Sequence, residues 1–238
     1  PPSIGEAVES AIAELKDRSG NIFFQSWKET EIAGKFIAEQ VLSAISQKDS
    51  LIADVSILNF NVMYEIGFAI GKGKRLLLTK HLAVSRHNKE ITELGIVDTL
   101  GYQNYQNSHE LATFLRSLDH TLPLETKAVL NRKAPVYLID AKYKTDPVIR
   151  IISRVKKARL SFRSFDPNEQ PRLSAHEAIK NVAQSYGVLV HLVPSNVEDA
   201  RIHNLRSAFL AGLAEGMGKA LLFLQNGDEP VPLDYRDL

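Results

Sequence analysis

Two stretches of this chain match each other at fixed offsets. "GFAIGKGKRLLL" begins at Gly67 and "GLAEGMGKALLF" begins at Gly212. Gly67, Ala69, Gly71 and Gly73 align with Gly212, Ala214, Gly216 and Gly218, and Lys74 aligns with Lys219. Large apolar residues follow in both copies. Small residues at helical spacing, then a glycine stop, then an apolar run, describe a helix that ends and feeds a strand. Such a block appearing twice implies a duplicated α/β unit. Gly and Ala on one helix face are expected to let that helix lie close to its sheet. The last glycine of each block is expected to serve as a C-cap.

The surrounding pattern agrees with a duplication. Residues 5–17 read as a helix, "NIFFQ" (21–25) as a short buried strand, and "EIAGKFIAEQVLSAI" as a helix with Ile37, Val41 and Ile45 on one face. "SLIADV" reads as a strand, and Asn59 or Asn61 can cap a helix running to about Gly71. "KRLLLT" is a strand, "TLGYQNYQ" an edge strand, and "SHELATFLRSL" a helix with Ser108 as its N-cap. The polar segment 119–135, with its two prolines, breaks the rhythm. Strands at "VYLID", "LSFRSF", "GVLVHLV" and "KALLFLQ" then alternate with helices beginning near Asp146, Ser174 and Ile202. Pro147 sits where a first-turn proline belongs.

The expected fold is therefore α/β: two tandem flavodoxin-like or Rossmann-like modules with parallel sheets. The expected boundaries are 1–120 and 134–238, with 121–133 as linker. The second module is read as carrying an extra unit, "LSFRSF" plus "SAHEAIKNVAQSY", that the first lacks.

Composition limits the chemistry. The chain has 29 basic and 28 acidic residues, so no net charge draws it to nucleic acid or anionic membrane. It has no cysteine, which removes disulfides and catalytic thiols. The 7 histidines have no ligand-like spacing, so no metal is expected. "GKGK" at 71–74 follows a helix rather than a strand, the wrong context for a phosphate loop. No apolar run is long enough to span a bilayer, and a cytoplasmic location is expected. The opening "PPSIGEAVES" and the close "PVPLDYRDL" suggest a piece trimmed from a longer protein.

The candidate site follows from one acid. Glu65 interrupts the apolar helix pattern after Asn61 and lies at the border of its buried face. Asp54, Ser56, Asn59, Asn61 and Glu65 all map to one strand-to-helix edge, where open α/β sheets hold ligands. A carboxylate there can hydrogen-bond a sugar hydroxyl, or attack or stabilise an oxocarbenium-like carbon. Equally, an acid in a first helical turn is favoured by the helix dipole, and asparagines there are ordinary caps. The second copy has Leu210 where the first has Glu65.

"ADVSILNFNVMYEIGFAIGKGK" resembles the central motif of the nucleoside 2-deoxyribosyltransferase-like group, which is related to TIR domains of the NAD-cleaving kind. The resemblance covers about residues 21–118, with 136–238 as a diverged copy. It implies that Glu65 is the catalytic carboxylate, that Asp54 is the strand-end acid, and that Asn59 and Asn61 are the polar loop positions. It also implies a nucleoside, nucleotide or NAD as ligand or substrate, with no required cofactor. Such modules often occur in bacterial conflict and signalling systems. Those enzymes usually carry Asp and Gly-Thr where this chain has Asn59 and Asn61-Val62, which separates it from their base recognition.

Further positions complete the expectation. Ser26 and Trp27 follow the first strand and can line a pocket; Trp27 stacks on a ring or packs under a loop. His203, Asn204 and Arg206 gather at the matching helix start of the second copy as a candidate second site. Arg206 there serves either a phosphate or solvent. Arg163, Asp166 and Arg172 form a polar loop or a simple turn. The leading expectation is an N-glycosidase or deoxyribosyltransferase-like enzyme acting as a single site or a composite one. The alternative is a non-catalytic nucleotide-sensing or interaction module of a larger protein, and a third is an assembly domain without a ligand. An additional domain or a homo-oligomer is the expected partner, with neither membrane nor nucleic acid expected.

Overall fold

The computed structural model describes residues 2–16, 23–26, 29, 37–84, 88–116, 121–227 and 232. In chain order the elements are α1 (Pro2–Lys16), α2 (Ile37–Gln47), β1 (Ser50–Asp54), α3 (Phe60–Gly71), β2 (Arg75–His81), α4 (Asn88–Leu94), α5 (Ile96–Leu100), β3 (Gln103–Tyr105) and α6 (Ser108–Arg116). They continue as β4 (Val136–Ile139), α7 (Asp146–Lys157), β5 (Phe162–Phe165), α8 (Ala175–Ala183), β6 (Gly187–Leu192), α9 (Ala200–Gly216) and β7 (Ala220–Gln225). Two parallel sheets result, ordered β1-β2-β3 and β5-β4-β6-β7. The fold is α/β, with two Rossmann-like or flavodoxin-like units.

The repeat is visible at the level of single hydrogen bonds. α3 closes with Gly73 N donating to Ile70 O at 2.9 Å and Lys74 N to Ala69 O at 2.9 Å. α9 closes with Gly218 N to Glu215 O and Lys219 N to Ala214 O, both at 2.9 Å. Gly73 and Gly218 have φ of 68° and 66°, the left-handed conformation that a C-cap glycine supplies. The matched lysines also do the same work. Lys74 Nζ donates to Ser46 O in the last turn of α2 at 2.7 Å, and Lys219 Nζ to Ala183 O at the end of α8 at 2.9 Å. Each ammonium meets the negative end of the preceding helix. α2-β1-α3-β2 thus corresponds to α8-β6-α9-β7. The extra elements of the second copy are therefore not β5 with α8, because α8 already has its counterpart in α2.

The small residues turn out to serve a different contact from the expected one. Ile66 and Ile70 are buried in the core, while the glycines face the other copy's helix. A Cβ on Gly67 would lie 2.2 Å from Phe209 O, and one on Gly212 would lie 2.0 Å from Tyr64 O. One on Gly71 would meet Leu213 O at 2.6 Å, and one on Gly216 would meet Phe68 O at 2.4 Å. So α3 and α9 pack backbone to backbone, helix on helix. The largest apolar core cluster among the described residues runs through both halves, joining Tyr64, Phe68 and Ile70 to Phe209, Leu210 and Leu213. The Tyr64 hydroxyl donates to the Glu215 carboxylate across the same contact.

Three further expectations need correction. Of the expected strand 21–25, residues 21 and 22 lie outside the described residues, residues 23–25 form no strand, and Phe23 is exposed. α4 and α5 were not foreseen; they are short, and Gly95 separates them with φ of 83°. Ser108 is already helical, and it is Asn107 Oδ1 that accepts from Glu110 N at 2.9 Å. Residues 121–130 carry no regular structure, and the backbone nitrogen of Asn131 ties this passage to Gln184 O at 2.8 Å.

The helix contact yields a sign reversal. Gly→Ala inside an ordinary helix stabilises by about 1 kcal/mol. Gly212→Ala instead drives a methyl into a backbone carbonyl and should destabilise by about 3 kcal/mol or more. Gly5→Ala, in α1 with nothing within 4 Å of the added Cβ, should be neutral or stabilising. Urea unfolding midpoints of the two variants check this, and equal shifts would contradict a backbone contact between α3 and α9.

Candidate functional site

β1 delivers Asp54 to the C-terminal edge of the first sheet, and the loop 55–59 leads from there into α3. The polar residues of this edge are mostly committed to one another. Asp54 Oδ1 accepts from Ser56 N at 2.9 Å, and Asp54 Oδ2 accepts from the Tyr105 hydroxyl at 2.7 Å. Ser56 Oγ accepts from His81 N at 2.7 Å. These bonds tie the ends of β1, β2 and β3 together. Asn59 is the N-cap of α3, with its Oδ1 accepting from Val62 N at 2.9 Å. Asp54, Ser56 and Asn59 therefore hold the edge in shape. Asn61 is exposed on α3, one turn before Glu65.

Glu65 is the exception. It is half-buried on α3, and among the described residues no hydrogen bond or ion pair engages its carboxylate. Burial alone pushes its pKa up to about 7, because the ionised form loses hydration and gains no compensating charge. A carboxyl that titrates near neutrality is suited to proton transfer or to switching between acid and nucleophile.

Sequence reading passed over two residues at this edge. Tyr105 is fully buried, and its hydroxyl is held protonated by burial and by the Asp54 charge beside it. Its ring meets His81 edge-on at 4.9 Å between centroids. Lys80 is buried near the end of β2, with Nζ donating to Asn88 Oδ1 and lying 5.3 Å from the centre of the Tyr102 ring. A lysine inside "RLLLTKH" was the available signal. Ser26 is half-buried, and its amide donates to the Glu29 carboxylate at 3.1 Å. Trp27 lies outside the described residues.

The second copy places its three candidates together, but largely as braces. His203 Nε2 lies 2.7 Å from His191 O, and burial pushes its pKa down to about 4, so the ring is neutral. Asn204 closes a two-bond clasp on Val193, accepting from its N–H at 3.0 Å and donating to its carbonyl at 2.8 Å. Arg206 donates to Leu94 O at 3.3 Å, Glu93 O at 2.6 Å and Pro171 O at 2.7 Å. It is not a solvated surface charge. Arg201 joins the halves in the same region, donating to Leu58 O at 2.7 Å and pairing with Glu90.

The other polar loop resolves into structure. Arg163 fans onto Asn181, Gln184 and Ser185, between 2.8 and 3.0 Å. Asp166 Oδ1 accepts from Asn168 N at 2.9 Å in a turn, and Arg172 pairs with Asp98 of α5.

No family model, no curated protein and no solved structure matches the chain. Among the described residues, no helix is long and apolar enough to cross a membrane, and no group of three or more His, Asp or Glu could hold a metal ion.

The raised pKa of Glu65 makes a stability prediction. In the unfolded chain the carboxyl titrates near its ordinary value of 4.5 and in the folded chain near 7. The stability it lends is full below 4.5 and is lost as pH rises through about 7. Glu65→Gln should thus stabilise the protein at pH 8 by about 1–3 kcal/mol and change little at pH 4.5. Denaturant midpoints at the two pH values check it.

Proposed function

We propose that the chain binds a nucleoside or nucleotide at the C-terminal edge of its first sheet and acts on the N-glycosidic bond, with Glu65 as the reacting carboxylate. The observation that carries this reading is Glu65 itself. It is a half-buried acid without a partner among the described residues, on the helix that leaves β1, with a pKa of about 7. Structural carboxylates are normally paired or hydrogen-bonded, as Asp54 is here. The likeness of "ADVSILNFNVMYEIGFAIGKGK" to the deoxyribosyltransferase-like motif supports the same residue.

In this reaction the ionised carboxylate adds to the anomeric carbon as the carbon–nitrogen bond breaks. The base departs with the bonding electrons and takes up a proton. Water, or a second base in a transfer reaction, then displaces Glu65 from the sugar. A nucleophile must be ionised, so kcat/KM should rise with pH through about 7. A fall through the same range would assign Glu65 as the proton donor instead.

A second reading is a non-catalytic nucleotide-sensing module of a larger signalling or defence protein. The internal bonding of Asp54, Ser56 and Asn59 favours it, since these groups then contribute shape and not substrate contacts.

A chromatographic screen separates the two. Purified protein is incubated with nucleosides, deoxynucleosides, nucleoside monophosphates and NAD, and free base is measured. The first reading predicts base release from at least one of them, lowered at least about a hundredfold by Glu65→Gln. Ligand-dependent thermal stabilisation without base release would support the sensing reading.

A further inference from the structure

The near-zero net charge of the chain averages over one strongly basic surface. Residues 146–159 carry Arg150, Arg154, Lys156, Lys157 and Arg159 against a single acid, Asp146. The whole chain has a formal net charge of +1, so the rest of it is net acidic. The basic segment is α7 with the two residues that follow it. α7 belongs to β4-α7-β5, the unit without a counterpart among the described residues of the first copy.

The helix has two unlike faces. Val148, Ile151, Ile152 and Val155 pack into the two apolar clusters that hold Leu138, Leu189 and Val193 of the second sheet and its edge. All five cations are exposed. Arg150, Arg154 and Lys157 follow one another at i, i+4 and i+7, which sets them in one row along the outer side. With Ile149 and Ser153 they line a shallow groove whose walls all come from α7.

The fold does not account for this row. Among the described residues, none of the five cations forms an ion pair. Exposed cations elsewhere do find acids, as Lys16 finds Glu29, Lys89 finds Glu93 and Arg116 finds Glu14. The helix dipole favours the cations of the last turn, Arg154, Lys156 and Lys157. It does not reach Arg150 in the second turn. Arg150 and Arg154 are moreover like charges at i and i+4, a pair that costs a helix stability unless an anion lies across it.

We propose that this row docks the phosphate backbone of duplex DNA. At 1.5 Å of rise per residue the row is about 10 Å long, and a duplex presents one charge per about 1.7 Å of its axis, so several phosphates face it. The guanidinium forks of Arg150 and Arg154 match phosphate oxygens. α7 has no aromatic residue, so the bases of a single strand find no stacking platform on it. Its apolar face is committed to the sheet, so the helix has no such face to sink into a bilayer. The contacts are to phosphates alone, so binding is independent of base sequence. The surface does not involve Glu65.

The test is fluorescence anisotropy of a labelled DNA duplex of about 20 base pairs, titrated with the native protein at several salt concentrations. The logarithm of the association constant should fall against the logarithm of salt with a slope of about −3 or steeper, the mark of three or more phosphate contacts. Replacing Arg150, Arg154 and Lys157 together by Gln should weaken binding at least about tenfold at low salt, with an unchanged unfolding midpoint. Replacing Lys48, Lys89 and Lys127 together by Gln lowers the net charge equally and should leave binding within about twofold of native. A single strand of the same length should bind more weakly than the duplex. No binding of the duplex, or equal losses in the two triple variants, would overturn the proposal. So would tighter binding to the single strand, to polyglutamate or to phosphatidylserine vesicles than to the duplex.

Discussion

The contact between α3 and α9 is the constraint on which the other features depend. Two helices can approach until backbone meets backbone only where neither carries a side chain. Gly67 and Gly71 meet Gly212 and Gly216 at such a place. Everything around them is then forced inward. Tyr64, Phe68, Phe209 and Leu213 become fully or nearly fully buried, and the two sheets share one core. The duplication is therefore not two beads on a string. It is an arrangement in which each copy completes the other's interior.

That arrangement explains where the polar staples lie. Arg201, Arg206 and Arg172 all come from the second half, and all reach carbonyls or acids of the first half at α4, α5 or the loop before α3. A carbonyl at a helix end or in a loop lacks a helical partner, and a guanidinium with several donors can satisfy more than one of them.

Much of the fold was legible in the chain itself. Each expected strand of the second half appears, and Pro147 and Ser174 sit at helix starts as their chemistry demands. What the glycines touch was not legible, since small residues on a helix face suit a sheet or another helix equally well. The strand expected at 21–25 rested on apolar composition, yet Phe23 points to solvent. At the candidate site the polar cluster was found, but its division of labour was not. Asp54 is engaged because Tyr105 approaches it from another strand, 51 positions away, and no local pattern announces that. Arg206 was read as either a phosphate ligand or a solvated charge, and its burial against three carbonyls removes the second option.

Glu65 remains the one acid of the first edge that the fold does not visibly need. Its position in an otherwise apolar helix carries a cost in stability at neutral pH, and proteins accept such costs mainly at sites that act. Its titration is the most direct test. Carbon-13 NMR of the glutamate carboxyls, with Glu65→Gln to assign the signal, reads its pKa in the native protein. The account predicts a midpoint near 7. A midpoint near the ordinary 4.5 would mean a solvated or compensated carboxylate, and would contradict its assignment as the poised reacting group.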